Sequence, residues 1–465
     1  MMEIYRWRQL DRWDNFAIPH LHIAPHLPQV RIGDLLVPRN EGVDRHTWSF
    51  DKLCPITIHF GGAISRRKVT EGTDYKLPLL WVRAGDVVLS KIDLKNGAVG
   101  VLDDGWDNVV VTTHFKVYVP DLDRLNPRYF RMLLQTSDFK DWLWASRSGA
   151  DGRTEVKLDI FEDLHIPLPS VQQQHDLVTA FESASANAKQ LSAESALISQ
   201  EGRRAFEDAL GIVPPPPLPD RPVFIASFKD VDRWSHEGVL RGIAQPAHAI
   251  AKWPLMTLGE LIDDLENGWS PQCLDHPAVP GRWGVLKVGA VSFGYYNELE
   301  NKELPAKLQP RPQYEVKAGD VIISRANVAR YVGACGYVES TRPQLMLCDK
   351  LFRVVFKANG ALNARFLAAV MTLPTVREQI ETRLTGTSPT MKNISKPALL
   401  GLRFPVPSPS TQLELVEALE KSRKLVGMNL AAAKVLRKTA WMAFESALFD
   451  VANQSAHVPA PYAGD

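Results

Sequence analysis

The sequence predicts an α+β protein with a pseudo-twofold internal repeat, in which two similar mixed α/β domains are separated by two long antiparallel helices that form a coiled coil. Three observations predict this fold class. Most of the chain consists of two copies of an internal sequence repeat. Each copy begins with predicted short strands and helices and ends in a predicted helix with a heptad pattern. A run of four prolines, residues 214–217, lies between the copies, where proline favours extended chain over helix.

The repeat consists of seven short segments of the first half that recur in the second half in the same order. Their offset drifts only from 221 to 238 residues, and unrelated matches would not stay collinear over such a length. The pairs are Asp11–Trp13 and Asp232–Trp234, Ile32–Leu36 and Leu258–Ile262, Val82–Lys91 and Val316–Arg325, Gly97–Gly100 and Gly333–Gly336, Leu125–Tyr129 and Leu362–Phe366, Pro167–Ser170 and Pro405–Ser408, and Ala205–Glu207 and Ala443–Glu445.

Each copy begins with a region of strands and helices. Gly85 and Asp86 form a turn signal before the apolar run 87–90, which is typical of a buried strand. Residues 114–119 and 351–356 predict a further strand in each copy. Asn126 followed by Pro127 predicts the start of a helix, with asparagine as the cap and proline in the first turn.

Each copy ends in a helix whose small and apolar residues alternate in steps of four and three, over 177–209 and 415–447. Such a narrow seam needs a partner helix, and the two seams are predicted to pair antiparallel. About 35 helical residues would give a rod on the order of 50 Å long. The alternative is that each helix packs only on its own domain. The residues predicted to pair the helices are Leu177, Phe181, Leu191, Ile198, Leu415, Leu419, Val426 and Leu436.

The composition places the chain among soluble intracellular proteins, and we expect a cytoplasmic location. The four cysteines lack any CxxC spacing, which argues against a disulfide framework or a structural zinc site. The first residues include several charged side chains and no apolar core, unlike a signal peptide. No apolar run is long enough to span a bilayer. The net charge of +1 means that any contact with nucleic acid must come from local basic patches.

The order of these motifs resembles the specificity subunits of type I restriction–modification systems. The motifs are the Gly-Asp/Glu-Leu opening, the Gly-Asp strand that ends in Ser-Lys/Arg, and the Pro-x-Pro element followed by a glutamine, each present twice. The resemblance implies two target-recognition domains, 1–169 and 222–407, each reading half of a bipartite DNA site. It also implies a central helical spacer (170–212), a Pro-rich linker (213–221), a C-terminal helical spacer (408–453) and a tail (454–465).

The resemblance further implies partners. The family binds double-stranded DNA, two adenine methyltransferase subunits and a motor–nuclease restriction subunit, and it has no membrane partner. The specificity subunit is an adaptor without cofactor or metal, because S-adenosylmethionine, ATP and magnesium are expected on the partner subunits. Catalytic residues are therefore expected to be absent from this chain.

Basic residues near the repeated motifs are the candidate DNA contacts, because Lys and Arg provide most of the affinity for phosphate. Two loops rich in small residues, 147–154 and 383–392, would let backbone amides approach a phosphate. The predicted DNA-binding residues are Arg66, Arg67, Lys68, Lys91, Lys95, Arg147, Arg153, Arg325, Arg330, Arg383 and Lys392.

Two enzyme-like patterns in the sequence are incomplete. Asn126 to Tyr129 resembles the Asn-Pro-Pro-Tyr motif of amino-methyltransferases but lacks the second proline and a glycine-rich cofactor loop. Asp121 with Glu155 and Lys157 imitates a nuclease site, but the second copy has Asn393 and Ser395 opposite the last two. A self-sufficient methyltransferase or nuclease, and a coiled-coil adaptor that binds only protein, remain the alternative functions.

Overall fold

The computed structural model describes residues 21–68, 77–148, 155–212, 252–358, 360–388 and 390–450. The repeated segments Asp11–Trp13 and Asp232–Trp234, the predicted Pro-rich linker and the predicted tail lie outside the described residues. The chain forms two compact units, one made of Met1–Ser192 with Leu430–Asp465 and the other of Ala193–Asn429. The boundaries between the units fall inside the two long helices, after Ser192 and after Asn429. The domain limits expected from the sequence instead assign each long helix to a separate segment.

Unit 1 contains a globular region, here called the first domain, and parts of both long helices. Its strands are β1 (Gln29–Arg31), β2 (Leu36–Pro38), β3 (Cys54–Ile58), β4 (Ile64–Arg66), β5 (Leu79–Trp81), β6 (Val87–Ser90), β7 (Val99–Val101), β8 (Val109–Thr112), β9 (Phe115–Pro120), β10 (Arg147–Ser148), β11 (Glu155–Val156) and β12 (His165–Pro167). Its helices are α1 (Pro127–Leu133), α2 (Ser137–Ala145), α3 (Leu158–Asp163) and the start of α4 (Val171–Ala209).

Two four-stranded sheets organise the first domain. One has the antiparallel order β2-β9-β6-β7, and its predicted central strand, β6, is buried at all four positions. The other has the order β4-β3-β8-β5, with β3 and β8 parallel. The aromatic side chains of α1 and α2 pack against the first sheet in one core that includes Phe130 and Phe139.

Unit 2 contains the second domain and the remaining parts of the long helices. Its strands are β13 (Leu255–Thr257), β14 (Ile262–Asn267), β15 (Gly284–Leu286), β16 (Val291–Ser292), β17 (Tyr295–Tyr296), β18 (Asn301–Glu303), β19 (Val321–Ser324), β20 (Ala326–Asn327), β21 (Cys335–Tyr337), β22 (Leu345–Met346), β23 (Leu351–Phe356), β24 (Lys392–Asn393) and β25 (Arg403–Pro405). Its helices are α5 (Leu258–Leu261), α6 (Ala364–Val370), α7 (Pro374–Glu381), α8 (Lys396–Leu400) and the start of α9 (Pro409–Leu448).

The second domain repeats the topology of the first. Its main sheet has the order β14-β23-β19-β21, which corresponds strand for strand to β2-β9-β6-β7. The pair β13-β25 corresponds to β1-β12, and the parallel pair β15-β22 corresponds to β3-β8. The predicted internal repeat of mixed α/β domains is confirmed. No helix among the described residues is long and apolar enough to cross a membrane.

Asparagine caps the first helix after the main sheet in both domains, as predicted. The Asn126 side chain accepts hydrogen bonds from the backbone N–H groups of Arg128 and Tyr129. Asn363 does the same for Arg365 and Phe366. The Asn-Pro-Arg-Tyr segment therefore serves as a helix cap, which gives its asparagine and proline a structural role.

A buried glutamine joins each domain to its long helix. The Gln174 side chain donates to the carbonyl oxygens of Arg124 (2.9 Å) and Pro169 (2.8 Å), and it accepts from the backbone N–H of Asn126 (2.8 Å). Gln412 makes the equivalent three bonds to Ala361, Pro407 and Asn363 at 2.8–2.9 Å. Both glutamines are fully buried, so each amide fixes the direction in which its helix leaves the domain.

The two long helices pair antiparallel, as predicted. In unit 1 the ring centroids of Phe181 on α4 and Trp441 on α9 are 5.4 Å apart. In unit 2 a Cβ built on Gly202 of α4 would lie 3.0 Å from the Cβ of Ser422 on α9. Residues early in one helix therefore meet residues late in the other.

Each long helix ends in the core of the domain from the other copy. Phe206 and Leu210 of α4 belong to the core of the second domain, where Phe206 lies 5.9 Å from Phe366. Phe444 and Leu448 of α9 belong to the core of the first domain, where Phe444 lies 5.9 Å from Tyr129. The alternative in which each helix packs only on its own domain is thus wrong.

The predicted seam changes its register at these ends. Most predicted seam positions, including Leu177, Phe181, Leu191, Ile198, Leu415, Leu419 and Val426, are half-buried, and Leu436 is 38% exposed. Ala205 and Ala443, however, are exposed, and the buried residue is the next one, phenylalanine. The reason is that the helix ends face a domain core and no longer a partner helix.

Replacing Gln174 with leucine is expected to lower the free energy of unfolding by about 2–4 kcal/mol, because three buried backbone groups lose their partner. Gln412→Leu should act alike, whereas Gln172→Leu on the exposed side of the same helix turn should change little. Urea unfolding of the full chain measures the three values. A loss below about 0.5 kcal/mol for both buried positions would contradict the role given to the amide.

Candidate nucleic-acid interface

A hairpin with an exposed aromatic tip lies over the repeated Gly-x-x-Gly strand of the first domain. Strands β3 and β4 form this hairpin, and Phe60 at its tip is 67% exposed. The hairpin lies so close to β7 that a Cβ on Gly100 would be 2.9 Å from the Ile64 side chain. At the tip, a Cβ on Gly62 would overlap the Val99 carbonyl oxygen of β7 and would lie 2.8 Å from Arg131, so glycine leaves room for both.

The second domain carries a similar tip between β16 and β17. Tyr295 is 65% exposed, and the backbone beneath it covers β21, where a Cβ on Gly336 would be 2.5 Å from the Tyr295 carbonyl oxygen. The Arg423 guanidinium of α9 lies beside the tip, 3.2 Å from the position of a Cβ on Gly294. Each tip therefore combines an exposed aromatic ring, a glycine turn and an adjacent arginine.

A stack of cations and rings extends this surface in the second domain. The rings of Phe293 and Tyr331 stack with centroids 5.8 Å apart. Arg330 covers Tyr331 at 4.5 Å, and Arg377 covers Phe293 at 5.0 Å. Arg377 also donates to the carbonyl oxygens of Val332 and Arg330, and burial lowers the pKa of its guanidinium. Arg377 therefore holds the stack in place, and Arg330 presents its charge to solvent.

The predicted contacts of the first domain lie on or near this hairpin and the end of β6. Arg66, Arg67 and Lys68 are exposed along and after β4, and Arg66 covers the Trp106 ring at 5.6 Å. Lys91 donates to the carbonyl oxygen of Thr113 (2.9 Å), while Lys95 lies 5.5 Å from the Trp144 ring. Arg147 is in β10, paired with β11, and Arg153 lies outside the described residues.

Two of the four predicted contacts of the second domain, Arg325 and Lys392, lie at the small sheet β20-β24. The backbone of Arg325 accepts from Ile394, and its guanidinium covers the Phe352 ring at 5.5 Å. Lys392 lies in β24, next to β20, and its ammonium donates to the carbonyl oxygen of Gly386 (2.7 Å). Arg383 donates to Gly401 (3.4 Å). The backbones of Arg325 and Lys392 thus adjoin the same strand pair, while Arg330 belongs to the aromatic stack. Contact of these residues with DNA remains a prediction.

Sequence reasoning missed Phe60, Tyr295, Arg131 and Arg423. Their hairpins fall in segments where the two copies share no recognisable motif, so alignment of the repeat gave no signal. Arg423 lies on the long helix and reaches the tip only through folding. The one available signal was a glycine next to an aromatic residue in both segments, at 60–62 and 293–295.

The chemistry of this surface suits a polyanion with flat bases. Guanidinium groups pair with phosphate, and exposed rings stack on bases or wedge between them. No group of three or more His, Cys, Asp or Glu side chains that would hold a metal occurs in the described part of the chain. The described chain therefore consists of two similar α/β domains, and each domain core includes residues of both α4 and α9.

Comparison with known proteins confirms the resemblance that the sequence predicts. The chain is 34% identical over 170 residues to the type I restriction enzyme EcoEI specificity subunit of Escherichia coli. That match spans 36% of this chain and 28% of the relative's length. No family model matches the sequence.

The chain shares its fold with a solved structure. A chain from a structure on complex assembly and conformational transition of the type I R-M system matches with a TM-score of 0.54 and 16% identity, covering 91% of this chain and 98% of that one. The HsdS subunit from Thermoanaerobacter tengcongensis matches with a TM-score of 0.45 and 16% identity, covering 90% and 96%.

Gly336→Ala is expected to displace the second hairpin and to lower the free energy of unfolding by about 2 kcal/mol, because the new methyl group meets backbone. Gly100→Ala should cost about 1 kcal/mol or less, since the Ile64 side chain can move aside. Thermal and urea unfolding of both variants test the difference. Equal losses would show that the second hairpin is not fixed by this close approach.

Proposed function

We propose that this chain is the DNA-recognition subunit of a type I restriction–modification complex, and that it binds a bipartite duplex site with one domain on each half. The observation that carries the proposal is the recurrence of one constellation, an exposed aromatic at a hairpin tip with an arginine beside it, in both repeats. A split site would require two such surfaces on a rigid support, and in this proposal α4 and α9, which contribute to both domain cores, would supply that support.

The proposed role is not catalytic. Methylation and cleavage would take place on partner subunits, which would carry S-adenosylmethionine, ATP and magnesium. The basic residues predicted from sequence would provide phosphate contacts, and the two hairpin tips would contact bases. The protein would act in the cytoplasm, where the chromosome and the partner subunits are found.

Recruitment of methyltransferase subunits would use an apolar stripe on α9. Met428, Val435 and Met442 recur every seven residues and are 60%, 62% and 56% exposed. They lie away from the half-buried seam that pairs with α4. A regular apolar stripe on an exposed helix is typical of a surface that binds a partner helix.

Co-expression with the adenine methyltransferase encoded nearest to this gene tests recruitment. We expect the two proteins to co-purify and to methylate duplex DNA at a split site. Val435→Glu with Met442→Glu should abolish co-purification, because a charge buried in an apolar interface is costly. Leu197→Glu on α4, which is 58% exposed, is the matched control and should retain binding. If only the control variant on α4 lost binding, the methyltransferase would bind α4 and the proposed docking surface on α9 would be wrong.

The hairpin tips are tested on DNA sites selected from a random duplex pool by the purified complex. Tyr295→Ala and Phe60→Ala are each expected to weaken binding about tenfold or more, as removal of a base-stacking ring does. Tyr295→Phe keeps the ring and should bind normally. Leu299→Ala removes a side chain that is 72% exposed and serves as the control. Unchanged affinity in both alanine variants would refute base contact by the tips.

A further inference from the structure

The middle of α9 is strongly basic although the whole chain is nearly neutral. Residues 421–438 contain six Lys or Arg and no Asp or Glu, against a net charge of +1 for the chain. The corresponding part of α4, residues 183–200, has one lysine and one glutamate. The two copies of the repeat therefore differ in charge along this part of their long helices. Pairing of the helices does not require this difference in charge, because the seam residues of both helices are mostly apolar or small.

In unit 1 these charges continue the face of α9 that the first domain covers. Trp441, Phe444 and Leu448 pack against that domain. Lys434 and Arg437 precede them at the same spacing of three and four residues, so they lie on the same side of the helix. Lys438 adjoins them, and all three basic side chains are exposed.

In unit 2 the same relation holds at the start of α9. Gln412 and Val416 pack against the second domain. Glu420, one turn further, pairs with Arg365 of that domain at 2.9 Å. Arg423 follows on this face and reaches the hairpin tip beside Tyr295. Here too, the helix face leads from a domain into basic residues.

These charges have no acidic partner in the part of the chain that the structure describes. Lys434, Arg437 and Lys438 of unit 1, here called the basic face, form no ion pair among those residues. By contrast, arginines at the domain junctions are paired, as Arg128 is with Glu182 and Arg365 with Glu420. A face of unpaired cations beside a DNA-binding domain attracts phosphate.

We propose that the basic face of α9 binds the phosphate backbone of the intervening DNA, the base pairs between the two half-sites. Neither domain would read these base pairs. The inference rests on the proposed function, because it presumes that the domains hold duplex DNA. Contacts of this kind add affinity and orient the duplex without reading bases. These phosphate contacts would come from α9 alone, because α4 has no equivalent basic face.

The test measures salt dependence of binding by the full chain in its purified complex, with a duplex carrying the selected site. The triple variant Lys434→Gln, Arg437→Gln and Lys438→Gln should reduce the slope of log K against log salt by about 2–3, because each phosphate that a cation neutralises adds about 0.9 to that slope. The selected sequence should stay the same. The control, Lys189→Gln, Arg203→Gln and Arg204→Gln on α4, removes the same charge and should leave the slope within about 0.5.

The outcomes separate the two proposals. If the unmodified complex shows no salt-dependent binding of duplex DNA, the proposed function itself fails. If it binds and the α9 variant keeps its slope, or both triple variants reduce the slope equally, the basic face does not bind the intervening DNA. If the α9 variant keeps its slope but no longer co-purifies with the methyltransferase, the face binds an acidic protein surface, and the inference is overturned. Circular dichroism of each variant verifies that the helices are retained.

Discussion

A narrow stripe of small and apolar side chains is buried only by another such stripe, and this constraint fixes the arrangement of α4 and α9. Each helix is held at its start by a buried glutamine and at its end by a phenylalanine in the core of the other copy's domain. Neither domain core is complete without the end of the other copy's helix. The helices are thus part of both cores, and not merely connections between them.

The two copies share this construction but differ in one helix contact, in the hairpin tips and in the charge of the long helices. Glu445 accepts from the backbone N–H (3.1 Å) and hydroxyl (3.3 Å) of Ser137 at the start of α2. The equivalent of Ser137 is Pro374, which offers no donor, and Glu207 has a buried oxygen without a hydrogen bond among the described residues. The hairpin tips and the charge of the long helices differ as well. The divergence therefore includes a contact between a long helix and a domain as well as the surfaces proposed to bind DNA.

Much of the fold was predictable because its signals are local or periodic. The strands at 87–90 and 351–356, the Asn126 cap and the helix seams follow from turn chemistry and side-chain period. The burial of Phe206 and Phe444 in the domain cores was not predicted. The heptad pattern continues through the neighbouring alanines, and the spacing of apolar residues along a helix does not indicate which domain that helix packs against. The site was less predictable, since Arg423 and Tyr295 meet only through tertiary contact and only basic residues near motifs were selected.

The central claim is that α4 and α9 run antiparallel with Gly202 facing Ser422. It is tested most directly by cross-linking Gly202→Cys with Ser422→Cys in the full chain. A disulfide needs Cβ atoms about 3.8 Å apart, so the spacing of 3.0 Å must widen by less than about 1 Å. Mild oxidation should link the pair within one chain, and Gly202→Cys with Ala440→Cys should stay unlinked. A cross-link to position 440, which a parallel pairing of the two seams would align with 202, and none to position 422 would contradict the account.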